Sequence, residues 1–245
     1  MNYLQPTYKE LEIKNKNNKL IMEVLVTVVP VGKCSLEDSN CLRKEFQNGV
    51  PTFFDGIPEA NIDVLDVMDM DDVKFDLSGL QFTLKEGKLK GLKGMVIKSV
   101  DWNTKKNKIS INFVANCTVK GHYTAAGRVL ILPISGDGQM KLKLRDIDVR
   151  LYIDYDLKKT ADGKERVAPK KLHFDFEVMG NAHFTLTNLF NGNKELSEAM
   201  HAFLNDNWKQ VSAEFGQPML AVAAKKIYKN VEKYFEQNPI ADITL

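Results

Sequence analysis

What this chain has little of constrains it first. It has three cysteines in 245 residues, and only Cys34 and Cys41 lie close together. A structural zinc site commonly takes four ligands as two short pairs. No second pair exists, none of His122, His173, His183 or His201 is near in sequence, and the spacing is not that of a redox CxxC. No metal site is therefore expected. No run of eighteen apolar residues is present, which excludes a membrane-spanning helix. Charge of one sign is also lacking: 34 Lys and Arg against 32 Asp and Glu leave a net +2, without the basic stripe of a nucleic-acid binder.

Enzyme signatures are missing as well. There is no GxSxG elbow, and the GDG at 136–138 has no GxGxxG or GKS context to cradle a phosphate. Glu198 and His201 show the Glu-x-x-His spacing of a di-iron bundle, but such a site needs the motif twice plus two further glutamates; a solvated helix face is the better reading. The acidic stretch DVLDVMDMDD, residues 63–72, lacks the glycine and terminal Glu of a calcium loop and reads as a strand with an acidic edge. Ser135 and His122 have no acid partner set by spacing. No catalytic residue and no cofactor are expected.

What is present is an ordinary globular composition, 44% hydrophobic and 27% charged, enough for a sizeable core in one large domain or two small ones. Residues 1–33 stand apart: KNKNNK at 14–19 precedes LIMEVLVTVVPVG at 20–32. That basic-then-apolar order is the order of a secretory signal, but Glu23 interrupts it. A buried or edge strand and a mis-started N-terminus are the alternatives. The domain proper is expected over 34–245.

Cys34 and Cys41 read as a disulfide or as two unpaired thiols. In a continuous helix they would lie about 10 Å apart along the axis, beyond the roughly 7 Å that a disulfide tolerates. A bridge therefore needs a turn, which Ser35, Asp38, Ser39 and Asn40 favour, with Ser39 or Asn40 capping a short helix near Cys41. Asn116-Cys117-Thr118 is the one N-x-[ST] sequon. It lies in an alternating run, 109–119, that turns Asn116 outward as a glycosylation candidate and Cys117 inward as a small core residue.

Period-two alternation recurs at 80–84, 109–119, 140–144, 147–157, 172–178 and 183–189, with turns expected at EGKLKG (86–91), NTKKNK (103–108), SGDG (135–138) and TADGKE (160–165). One apolar face and one polar face suit a single antiparallel sheet that covers something. From about Lys194 to Gln237 the period becomes helical, with Asn193 as cap and a kink or break at Pro218. About 44 helical residues would run about 65 Å, longer than the roughly 46 Å diameter of a compact sphere of this size. Either the helix bends or the molecule is elongated. A sheet and a helix meeting over that length leave an apolar tunnel unless large side chains fill it, and a dry tunnel is a lipid site.

Three segments carry a specific resemblance: CLRKEFQNGVPTFFDGIPE (41–59), YTAAGRVLILPISGDGQMKLKLRDIDVRL (123–151) and LTNLFNGNKELSEAMHAFLNDNWKQV (186–211). Together they resemble the insect Takeout and haemolymph juvenile-hormone-binding-protein family over residues 34 to about 240. The resemblance implies an α+β, tubular lipid-binding fold, with a long C-terminal helix wrapped by a highly curved antiparallel sheet. It implies a secreted, non-enzymatic carrier of a hydrophobic ligand such as a terpenoid or fatty acid, and a Cys34–Cys41 bridge. The second cysteine pair of the hormone binders is missing, since only Cys117 remains, so the chain is more similar to the Takeout branch. Expected tunnel-lining residues are Phe113, Tyr123, Phe174, Phe176, Phe203, Trp208, Val211 and Phe215. Beyond the ligand, a receptor or another carrier is the conceivable partner. Nucleic acid and stable membrane insertion are not expected, and a monomer is. The rival reading is an interaction protein with a filled interior that acts through its outer surface.

Overall fold

A computed structural model describes residues 32–245. The segment at 1–33 therefore lies, apart from Gly32 and Lys33, outside the described residues. Helix α1, Ser39–Asp55, starts on Asp38, whose carboxylate accepts from the backbone N–H groups of Asn40 and Cys41 at 3.1 and 3.0 Å. The cap is thus Asp38 rather than Ser39 or Asn40, because a carboxylate satisfies two orphan donors of the first turn. Cys41 sits in that first turn and is bonded to Cys34, with their Cα atoms 5.8 Å apart. Closing so short a loop stabilises by about 2–3 kcal/mol in the chain-entropy model. Cys34 also pairs with Thr244 near the C-terminus, and Leu245 N–H donates to the Cys34 carbonyl at 3.1 Å.

Seven strands follow: β1 Met68–Asp69, β2 Val73–Leu77, β3 Leu80–Lys90, β4 Val96–Asn103, β5 Lys108–Val129, β6 Leu132–Lys159 and β7 Glu165–Leu186. All pair antiparallel in the order β1-β3-β5-β6-β7, with β2 on β3 and β4 on β5. Inward positions such as Leu84, Tyr123, Met140 and Ala182 are buried while their neighbours are exposed or half-buried, the one-sided pattern that the alternation requires. The strands are longer than the sequence pattern suggests. SGDG at 135–138 lies inside the 28-residue β6, and EGKLKG at 86–91 largely inside β3. The expected turns at 103–108 and 160–165 do connect strands.

A 28-residue strand would run about 90 Å if straight. These do not stay straight, because the register shifts at Lys85/Lys88, Ile97/Ser99, Ala115/Cys117, Arg145/Ile147 and Asp154/Tyr155. Each bulge bends its strand and adds twist, and the sheet curls.

Two helices lie in the curl: α2, Lys194–Asp206, capped by Asn193, and α3, Trp208–Gln237. The break falls at Asn207 and not at Pro218, which stays inside α3. At Asn207 the backbone leaves helical geometry (φ −102°, ψ 23°), and its N–H and side-chain amide both donate to the Phe203 carbonyl, at 3.0 and 2.8 Å, capping the end of α2. Pro218 only leaves the Glu214 carbonyl without its donor. α3 packs on β7 and β2, and α1 on β4. A last turn, α4, Ile240–Ile243, returns the chain to Cys34. The architecture is one long helix wrapped by a highly curved antiparallel sheet.

Candidate functional site: an apolar cavity along the last helix

Between the sheet and α3 lies a cavity of about 330 Å³, within the roughly 300–1,000 Å³ of small-molecule sites. One wall is a stripe on α3 at steps of three or four: Val211, Phe215, Met219, Ala223, Ile227, Val231 and Tyr234. From Val211 to Tyr234 this stripe runs about 35 Å, so the space is elongated. The opposite wall is built from inward residues of β3 to β7, such as Phe82, Phe113, Val119, Tyr123, Leu144, Val149 and Phe176. α1 closes one flank with Leu42, Phe46, Val50, Phe53 and Phe54. Gly216 fits the rest: a Cβ there would lie 2.5 Å from the Phe176 ring, so only glycine lets ring and helix meet this closely.

The two ends are aromatic. Near the start of α3, Phe75 stacks on Phe82 and on Phe215, with ring centroids 5.2 and 6.2 Å apart, and Phe82 stacks on Tyr123 at 6.4 Å. Near its end, Trp102, Tyr155, Phe235, Tyr234 and Phe53 meet edge to face at 5.5 to 6.4 Å. Aliphatic side chains fill the length between.

Polar groups on the wall are few. Tyr123 donates to the Thr187 carbonyl at 2.8 Å, and Trp102 donates to the Tyr155 hydroxyl at 2.9 Å. Glu45 stands at the α1 flank, where its carboxylate accepts from Gly32 N–H at 2.8 Å. Two buried hydroxyls on α3, those of Ser212 and Tyr234, have no hydrogen-bond partner among the described residues. Burial, helped by Asp66, pushes the Cys117 thiol up to about 12, so it stays protonated and unreactive. Burial, helped by Asp137, likewise pushes Tyr123 up to about 12. No group of His, Cys, Asp and Glu that could hold a metal occurs among the described residues. The arrangement can sequester an apolar molecule, and its wall offers no nucleophile with a base.

Of the residues expected on the wall, Phe113, Tyr123, Phe174, Phe176, Val211 and Phe215 line the cavity. Phe203 and Trp208 do not. They are half-buried at the α2–α3 junction, packed against the core, with Lys209 Nζ 5.5 Å from the centre of the Trp208 ring. Their helical spacing is right, but at this junction it is the neighbouring Leu204 that reaches the cavity. The α1 residues and Trp102 were not foreseen. Leu42, Phe46, Val50 and Phe53 recur at three- and four-residue steps, a helical signal that extends beyond the short helix expected near Cys41. Of the Glu198-x-x-His201 pair, Glu198 is exposed and His201 serves the sheet edge, its Nε2 accepting from Leu186 N–H at 2.9 Å. Asn116 is exposed, and its side-chain oxygen accepts from Asp146 N–H at 2.9 Å.

Comparison with known proteins places this geometry. The family model for haemolymph juvenile hormone binding protein matches residues 20–245. The crystal structure of Epiphyas postvittana Takeout 1 superposes with a TM-score of 0.86 at 58% identity, covering 87% of this chain and 99% of that one. The circadian clock-controlled protein daywake of Drosophila melanogaster is 27% identical over 214 residues, 82% of each chain. Its Drosophila yakuba counterpart is 26% identical over the same length.

Proposed function

Because this chain belongs to the haemolymph juvenile hormone binding protein family, we propose that it is a secreted, non-enzymatic carrier that holds one long apolar molecule between the curved sheet and α3. The observation that carries this reading is the apolar cavity of about 330 Å³ running beside most of α3. Burial of apolar ligand surface supplies the affinity, at about 25 cal/mol per Å² before entropic costs. The elongated shape favours a terpenoid or fatty-acyl chain over a compact ligand. The orphan hydroxyls of Ser212 and Tyr234 are the groups able to orient a polar end, since each lacks a protein partner and a buried polar group without one is costly. The Cys34–Cys41 bridge supports an oxidising, extracellular compartment. Asn116 is a glycosylation site in this reading, and the carrier acts as a monomer.

Native mass spectrometry of the secreted protein, before and after organic extraction, tests the proposal. A retained lipid that extraction removes supports it. A bare protein that also refuses terpenoids and fatty acids would favour an interaction protein that works through its outer surface.

A further inference from the structure

The outward face of the sheet carries a feature the cavity does not explain. Lys88 of β3 stands directly opposite Lys120 of β5, and Lys120 directly opposite Lys141 of β6. Two residues along, Lys90, Thr118, Lys143 and His183 form the next outward row across β3, β5, β6 and β7. Neighbours within a row are about 4.8 Å apart, and the rows are about 7 Å apart. Lys85 extends this grid on one side and Arg145 on the other. Like charges placed directly opposite each other destabilise a sheet, so this register works against the fold.

Little offsets it from within. Lys88 pairs with Asp69 at 2.5 Å. Lys85, Lys90, Lys120, Lys141, Lys143 and Arg145 have no carboxylate of the described residues within 4.0 Å. Of the nearby acids, Asp137 is held by His122 at 2.7 Å, while Glu86 and Asp146 flank the rows at the two bulges. Farther along the same face the pattern reverses. Asp148 stands opposite Glu177 and Arg150 opposite Asp175, and two cations there are paired, Arg150 with Asp148 at 3.6 Å and Lys170 with Asp156 at 3.0 Å. The net charge of +2 therefore conceals a segregated surface. The bulges in β5 and β6 also open a hollow at the edge of the grid, where Lys143 and Arg145 stand beside Asn116 and Asp146; a glycan on Asn116 would stand at this hollow, so the anion-binding surface is the lysine rows beside it.

We propose that this lysine grid is the docking surface for a linear sulfated polysaccharide. The extracellular setting of the proposed function selects this class among polyanions; the grid itself rests on register alone. The outer face of a curled sheet is convex and meets a flat bilayer only along a narrow strip. The residues interleaved with the lysines, such as Thr118, Thr185 and Gln139, are polar and offer nothing to insert into lipid. A flexible chain of repeating sulfates can follow the rows across the strands.

Affinity of the full chain for heparin, titrated in sodium chloride, tests the proposal. The wild type should bind with a steep salt dependence. K120T/K141T/K143T should lose roughly tenfold or more and show a shallower salt slope, as fewer counterions are released. Its melting temperature should be equal or higher, because opposed like charges have gone, and native mass spectrometry should show its lipid content unchanged. That readout keeps a failure of the grid distinct from a failure of the carrier reading. The pair K105T/K106T, in the β4–β5 turn, should bind like the wild type. Should the triple variant fold poorly, K120T alone must still weaken binding measurably. Heparin binding that ignores all these lysine changes would overturn the proposal, as would no binding at physiological salt. So would a preference for phosphatidylserine vesicles or for a nucleic-acid oligomer over heparin at equal salt.

Discussion

Of the buried side-chain polar atoms without a partner among the described residues, Arg166 Nε, Asn238 Oδ1 and the hydroxyls of Ser212 and Tyr234, only the last two belong to residues of the cavity wall. Tyr123 and Trp102 on the same wall are satisfied. Tyr234→Phe should therefore stabilise delipidated protein by about 1 kcal/mol, measured by denaturant unfolding, while weakening a ligand whose polar end it meets. A second residue-scale effect is alkaline. Burial raises Cys117 from 9.0 and Tyr123 from 10.0 to about 12. Both groups are neutral in the fold and ionise more readily when it opens. Their contribution is complete below their unfolded values and is lost as pH climbs through 9 to 12. The melting temperature should fall across that window, and Cys117→Ala should flatten the fall. At this scale the sequence was readable where a residue's direction follows from period two. Phe113 and Cys117 point inward because 109–119 alternates. The missing hydrogen bonds were not readable, since they depend on what lies across the cavity.

Among elements, the edge of β7 shows how helix and sheet are joined. Asn205 of α2 accepts from Phe184 N–H at 2.8 Å and donates to the Phe184 carbonyl at 3.2 Å. Its amide thus takes the place of a neighbouring strand and covers part of an exposed edge. Asn205→Ala orphans both backbone groups and should cost about 2 kcal/mol, with faster amide exchange at Phe184 as the local readout. Helix and strand types were legible from periodicity, as was the cap at Asn193. Their ends were less so. SGDG and EGKLKG have the composition of turns, yet pairing with β5 carries β6 through the first, and β3 resumes its pairing with β5 at Lys88 after a bulge at 86–87. Pro218 reads as a breaker, yet α3 continues through it, because packing against the sheet outweighs one lost hydrogen bond. Asn207, which breaks the helix, carries no comparable signal.

At the scale of the whole molecule, the cavity exists because two long apolar surfaces meet without filling the space between them. Ala223 lies near the middle of its α3 wall and is buried. Ala223→Trp should divide the space, so that native mass spectrometry finds shorter ligands or none while circular dichroism stays that of the wild type. Reloading the wild type should raise its stability by about 2.7 kcal/mol at a hundredfold excess over Kd, and the variant's by less. The sequence by itself determined the class of the fold, an apolar-faced antiparallel sheet and a long amphipathic helix, because burial of one face imposes periods of 2 and 3.6 that survive in any single chain. Its motifs determined the kinship. Only the tertiary structure decided how tightly the sheet curls, since that follows from bulges whose register needs both strands. It alone decided which aromatics face the cavity and which fill the α2–α3 junction, because facing depends on how two helices meet one curved sheet. Volume between two walls is a property of neither wall.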